Sequence, residues 1–482
     1  MATTKLTFGE WMPDQPGISG ALVDAKNVIS RAIGYGPFPT AAIFSDEADE
    51  DLITLVYGKT PDNVTKLYVA GSTKIYSVSG VGALSDASKA GGYTPNLENE
   101  RFRFTQFGNT IIGTNNSDPM QAFTLGTSTA FDDLSTDAPI CKYLTVIRDF
   151  VVTAFTTESS VKYPNRVRWS GINDETEWLS NQVTQADFQD IPDGGQIVGI
   201  RGGEFGLVFM EKSISRMSYV GTPFIFQFDN ISRGKGCIAA GSIAQVQGVS
   251  FFLSDDGFYM CDGQQIQAIG AEKIDRWFFA NADEASFSTM SCAVDPIKKL
   301  VIWNFKNTFG KQQLLIYNFK TQKWTYGDAG SDFISDASTS PINMEELDSI
   351  STSIDALNVS LDSILYIGGK YFLGGTLGKY VITYNGANAT GNLITGDVGL
   401  GGRSIVTLAR PQIDQGSASV SVASRTLLSD SVNFSSAVAA DSENRISLRS
   451  NGNYHRFQVI PTGDRWDTAV SIDVDIMGQG VR

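Results

Sequence analysis

Along most of this chain, apolar and polar residues alternate in short runs that stop at Gly, Asp, Asn or Ser. Arg101-Phe102-Arg103-Phe104 is the simplest case: a period of two places alternate side chains on opposite faces of an extended strand. The run continues through Gly108-Asn109, so RFRFTQFGNTIIGT (101–114) predicts strand, turn, strand. The same grammar recurs in KLYVAGSTKIYSVSG (66–80), TVIRDFVVTAF (145–155), GEFGLVFMEKSISRMSYVG (203–221), MSCAVDPIKKLVIWNF (290–305), QQLLIYNFKTQKWTYGD (312–328) and SILYIGGKYFLGGTLGKYVITYNG (363–386). In GVSFFLSDDGFYMCDGQQIQAIG (248–270) the turns Ser254-Asp255-Asp256-Gly257 and Asp262-Gly263 separate three runs and predict a meander.

Successive units begin roughly 40–60 residues apart, with one longer gap. Several strands per unit at about that period is the pattern of β-propeller blades, each of which buries its faces against its neighbours. The expected fold is therefore all-β: an irregular β-propeller-like body over 40–390, with several packed sandwiches as the alternative. Two stretches depart from the pattern. AEKIDRWFFAN (271–281) sets Ile274, Trp277 and Phe278 at helical spacing and predicts a short amphipathic helix. An inserted arm at about 329–362 contains Leu347, Ile350, Ile354, Leu357 and Leu361 at spacings of three and four. It either packs on the body or docks a neighbouring subunit. Past residue 390 come long, strictly alternating strands with polar links, which predict a C-terminal antiparallel, β-sandwich-like domain over 391–482. Residues 1–39 lack the repeat grammar and are rich in aromatics, Pro and Gly. They predict an extended arm whose Trp11, Tyr35 and Phe38 either close the propeller or contact a neighbour.

Composition narrows the function more than the fold. With 37 basic and 52 acidic residues the net charge is −15, and no Lys/Arg block interrupts the acidic surface, so tight nucleic-acid binding is disfavoured. Arg101, Arg103, Arg166 and Arg168 alternate within strands or flank aromatics, and are expected to pair with nearby carboxylates. The four cysteines, 141, 237, 261 and 292, are widely spaced and indicate neither a zinc site nor a disulfide framework. The first residues lack the apolar core of a secretory leader, and no apolar run approaches the length of a membrane helix.

Catalytic patterns are scarce. The single histidine, His455, lies within a strand, and Gly-x-Ser-x-Gly does not occur. Gly58-Lys59-Thr60 resembles the end of a phosphate-binding loop, but Ile53 stands where its first glycine belongs; Gly378-Lys379 fails similarly. The turn at 254–257 resembles the Asp-box of sialidases, which is a structural hairpin. No pair of carboxylates is marked out for glycoside hydrolysis. The reading is of a protein without catalytic, metal-binding or cofactor-binding residues.

Several blocks, taken in order, resemble a family of tail proteins from short-tailed bacteriophages. RVRWSGINDETEW (166–178) is similar to its R-x-x-W-S-G-x-x-D-x-x-x-W signature. IVGIRGGEFGLVFMEKSISRMSYVGTPFIFQF (197–228), the 248–270 meander, the helix around Ile274–Phe279, MEELDSISTSIDALNVSLDS (344–363) and NGNYHRFQVIPTGDRW (451–466) follow in the family's sequence. NVISRAIGYGPFP (27–39) fits its N-terminal arm, with Ser30 where proline is usual. The resemblance implies a tail hub or nozzle protein, also called a packaged-DNA stabilisation protein. Such subunits form a hexameric ring below the portal and its adaptor, close the DNA exit channel, and dock tail fibres or spikes. It further implies assembly in the host cytoplasm into the virion, and genomic DNA that passes without specific binding. A carbohydrate-active propeller enzyme and a receptor-binding baseplate module are the competing readings.

Overall fold

Blade-like meanders follow one another from residue 54 onwards in the computed structural model, which describes residues 2–62, 64–96, 100–342, 344–350, 353, 364–463 and 465–478. Six form separate four-stranded sheets. Blade 1 starts at Thr54–Lys59, blade 2 at Arg103–Phe107, blade 3 at Ile140–Ile147, blade 4 at Ile197–Arg201, blade 5 at Ala244–Val246 and blade 7 at Phe333–Ser338. Blade 6, from Ser291–Asp295 to Lys323–Asp328, has the same four strands but continues into a larger sheet. The 248–270 meander is the outer part of blade 5, strands Val249–Leu253, Phe258–Cys261 and Ile266–Ala268. Its second turn reverses at Gly263, whose φ of 87° favours glycine. The expected propeller is present.

A propeller must close, and this one does so with a strand from far upstream. Blade 7 takes Phe333–Ser338, Tyr371–Leu377 and Tyr380–Thr383 from one region and borrows its outermost strand, Ala42–Ile43, from before blade 1. Ile43 pairs with Ile382 and Ala42 with Thr383. The core between blades 6 and 7 is aliphatic, with Leu300, Ile302, Leu314, Ile316, Ile334 and Ile382 all buried.

The C-terminal strands are joined to the body by backbone pairing. Leu22–Lys26 lies between the last strand of blade 6 (Lys26 opposite Tyr326) and Asn392–Thr395. From there the sheet runs through the 17-residue strand Ile446–Thr462, which has Asn392–Thr395 and Val398–Ile413 on one side and Ser417–Arg425 on the other. Residues 1–39 are accordingly not a free arm. Ala2–Thr7 pairs with Ala469–Gly478, and Tyr35–Pro37 touches that same strand. The reason is physical: an outer blade edge and a long terminal strand both expose unpaired N–H and C=O groups, and the N-terminal segments supply partners to each. One hydrophobic core spans both parts, from Phe251, Phe258 and Trp303 in the blades to Val406, Phe457 and Val474 in the C-terminal sheet.

The predicted helix appears as Asp275–Asn281, with Ile274 and Phe278 fully buried. The insertion begins later than 329, because Phe333–Ser338 is the inner strand of blade 7. The excursion from that strand to Tyr371 includes helices Met344–Ile350 and Ile364–Ile367. The alternation in FISDAS is too short and too polar to be told from the Ser/Asp-rich insertion that follows.

Candidate functional site

The assembly candidates from the sequence occupy internal positions. Trp11 is 0% exposed; it stacks on Tyr326 at 5.0 Å, meets Trp277 edge-on at 4.9 Å, and donates from Nε1 to the Val23 carbonyl. Tyr35 is buried and its hydroxyl donates to the Gly9 carbonyl at 2.7 Å, while burial raises its pKa. Phe38 packs 5.5 Å from Tyr384 in the core of blades 6 and 7. These three aromatics are occupied within the chain. Leu347 is buried on the helix Met344–Ile350, and Ile350 ends that helix. Ile354 and Leu357 lie outside the described residues.

The Arg-x-x-Trp-Ser-Gly block turns out to be a braced loop. Arg166 makes a two-pronged contact with Asp190 (Nε–Oδ1 2.7 Å, Nη2–Oδ2 3.0 Å). Arg168 donates to Glu158 at 2.6 Å and to the Trp178 carbonyl at 2.5 Å. Both indoles donate to backbone, Trp169 to Gln185 and Trp178 to Glu175. The Tyr219 hydroxyl then donates to Gln185 Oε1 at 3.0 Å, fastening the 170–186 loop of blade 3 to the outer hairpin of blade 4. The 170–186 loop carries the exposed Val183 (84%) and Leu179, and the turn of the blade 4 hairpin carries the exposed Phe224 (77%). Sequence reasoning missed all three. An isolated apolar residue in a loop has no period to reveal it.

The other notable concavity is on the propeller axis. The innermost strands of all seven blades contribute to a cavity of about 410 Å³. Arg101, Arg103 and Arg201 line it, with Asp336 on the wall from blade 7. The Arg101 Nη2 donates to the Met290 carbonyl at 2.7 Å, and its guanidinium lies 4.9 Å from the Phe333 ring. Arg201 donates to the Ile200 and Ile243 carbonyls. Arg103 reaches Glu100 at 3.2 Å, and Lys142 meets the same carboxylate at 2.6 Å. The expectation that the strand arginines pair with carboxylates holds for Arg103, Arg166 and Arg168, whereas among the described residues Arg101 makes no ion pair. Period-two alternation places Arg101 and Arg103 on one face, and that face is the axis, where carboxylates are few. Burial pulls Arg101 down to about 10 and lowers Arg201; it raises Asp336 and pushes the Cys292 thiol up to about 11.

No known protein family matches the sequence, and no curated protein does. Among solved structures, the chain is similar to the WD40 domain of Neurospora crassa Pan2, with 10% identity over 80% of this chain and 95% of that one and a TM-score of 0.35. It is similar also to the WD40 domain of Toxoplasma gondii coronin, with 6% identity over 78% and 87% and a TM-score of 0.38. An exo-β-1,3-galactanase from Phanerochaete chrysosporium matches at 11% identity over 80% and 97%, TM-score 0.26. The assignment as a propeller rests on the strand pairing described above.

The remaining chemical groups are structural in their surroundings. His455 is fully buried, with Nδ1 2.6 Å from Ser424 Oγ and Nε2 2.9 Å from Ser404 Oγ, and burial lowers its pKa. Gly58 and Lys59 belong to a paired strand, and Gly378-Lys379 forms a hairpin turn, so neither makes a phosphate cradle. Among the described residues, no group of three or more His, Cys, Asp or Glu is arranged to hold a metal, and no helix is long and apolar enough to cross a membrane.

Proposed function

We propose that the chain is a non-catalytic structural subunit of the tail nozzle of a short-tailed bacteriophage. In this reading six copies form a ring beneath the portal and adaptor, close the DNA exit channel until ejection, and offer a surface to fibres or spikes. The ring is assembled in the host cytoplasm and is carried in the virion. What supports the reading is the ordered set of sequence blocks, two of which, 166–178 and 197–228, fall on the adjoining blades 3 and 4.

The observation that carries it is the braced loop pair: side chains as exposed as Val183 and Phe224 are held on a support stiffened by ion pairs and indole hydrogen bonds. Fixing an apolar side chain in water has no benefit to a lone subunit, whereas a preorganised apolar anchor lowers the entropic cost of association. The net charge of −15 suits a wall past which duplex must slide, since adhesion to phosphate grows with each basic contact.

The test is assembly. Purified chain, alone or mixed with its adaptor, should give rings in negative-stain images. The double change V183D/F224D should leave the circular dichroism intact and yield single subunits. Wild-type chain that stays monomeric with the adaptor present, or rings indifferent to V183D/F224D, would reject the reading.

A further inference from the structure

Three guanidinium groups converge on a cavity that the nozzle reading leaves without a role. We propose that the axial cavity is a binding site for a small oxyanion carrying two or more negative charges, held by Arg101 and Arg201 with Arg103 contributing field.

The argument begins with what the arginines lack. The hydrogen bonds of Arg101 and Arg201 run chiefly to backbone carbonyls, one from Arg101 and two from Arg201, with the Cys292 thiol also beside Arg201, and no ion pair among the described residues involves either arginine. A guanidinium carries five N–H donors in a planar fork, so each keeps donors for whatever occupies the cavity. The carbonyls fix the orientation of both side chains, and Phe333 supports the face of Arg101. A preorientated fork is the geometry that captures carboxylate and phosphate groups.

Charge balance says the same. Arg103 shares Glu100 with Lys142, so that trio keeps one positive charge. Among the described residues, Asp336 is the one acidic side chain on the cavity wall, against three arginines. A positive cavity at the centre of a chain of net charge −15 is a local reversal that the fold does not need, because blade packing is supplied by aliphatic and aromatic side chains. A bound counter-anion offsets the positive charge that the cavity's own side chains leave unmatched. Consistently, both guanidiniums titrate below their ordinary range, chiefly through burial. At about 410 Å³ the cavity falls among small-molecule sites, commonly about 300–1,000 Å³, and cannot admit a duplex.

Calorimetric titration of the full chain in about 0.1 M NaCl decides it, with citrate, pyrophosphate and acetate as the probes. Citrate or pyrophosphate should bind one to one with Kd below about 1 mM, and acetate at least tenfold more weakly. Which of the two binds more tightly separates carboxylate from phosphate preference. R101M/R201M should weaken binding at least tenfold. R201K, which keeps the charge but loses the fork, should weaken it severalfold and serves if the double variant does not fold. D336N removes the opposing carboxylate and should tighten binding, a change of sign that a purely structural role would not give. Absence of binding to folded wild type at 10-fold higher probe concentration overturns the proposal, as does a Kd unchanged in R201K.

Discussion

Asp397 and Arg101 are both charges withdrawn from bulk water, and the chain treats them in opposite ways. In the C-terminal sheet, Asp397 is 6% exposed and receives Arg425 through Nε and Nη2 and Arg456 through Nη2, the last at 2.7 Å. Two guanidiniums close on one carboxylate, and the group joins the start of Val398–Ile413 and the end of Ser417–Arg425 to the middle of Ile446–Thr462. On the propeller axis, Arg101 and Arg201 have carbonyls and a cavity instead. At Asp397 the buried carboxylate is met by partners from the chain's own strands. A cluster left short of partners is therefore informative about what binds, which is the contrast that the following measurements attack.

The largest effect is expected from breaking the paired side. D397A takes the shared carboxylate from two half-buried guanidiniums and should lower unfolding stability by about 3 kcal/mol, the low end of the range for removing one partner of a buried ion pair. Denaturant melts read this directly.

Asp275 provides a second case of an incompletely paired charge. Its carboxylate is wedged so tightly that a Cβ on Gly257 or Gly270 would come within 2.1 and 2.0 Å of it. It accepts the Phe258 N–H at 3.2 Å, and burial, with Asp14 and Asp256 nearby, pushes its pKa up to about 7. The folded state therefore holds a proton that the unfolded chain has lost between about pH 4 and 7. Stability should fall as pH rises through that window, by no more than about 1.4 kcal/mol per pH unit, and level off above it. D275N, which keeps the acceptor, should flatten this slope and be more stable than wild type above pH 7. Thermal melts across pH 4–8 check both.

The smallest effect is expected on the axis. Without added anion, R101M/R201M should change unfolding stability by no more than about 1 kcal/mol in either direction, since no ion pair among the described residues is broken and methionine fills part of the space. A loss comparable with D397A would mean that the axial arginines are fasteners after all.

Much of the fold was legible because blade strands are local. The turns at 108–109, 148–149, 254–257 and 262–263 each close a hairpin between neighbouring runs, and alternation marks both arms. What escaped was non-local pairing. Nothing in LVDAK announces that it lies between Tyr326 and Leu393, because strand partners hundreds of residues apart leave no common period. The aromatic arm was visible as aromatic, yet Trp11 in water and Trp11 stacked on Tyr326 have the same sequence. For the axial site the residues were noticed and their surroundings were not. Alternation assigns Arg101 and Arg103 to one face without saying whether solvent, carboxylate or cavity lies there. The exposed side chains Val183 and Phe224 carried no signal at all.

The pairing of Ala2–Thr7 with Ala469–Gly478 has a consequence for biosynthesis. Thr7 leaves the ribosome more than 460 residues ahead of its partner Ser471. At about 5–20 residues per second, that strand is without its mate for roughly 25–95 s. A strand so long alone is a hazard for association between nascent chains, most of all where many copies are translated together. Its composition answers the hazard: ATTKLT is short, threonine-rich and carries a lysine, and Thr3, Lys5 and Thr7 still face water after pairing. The earlier strand of the pair is thus built to tolerate waiting for its partner.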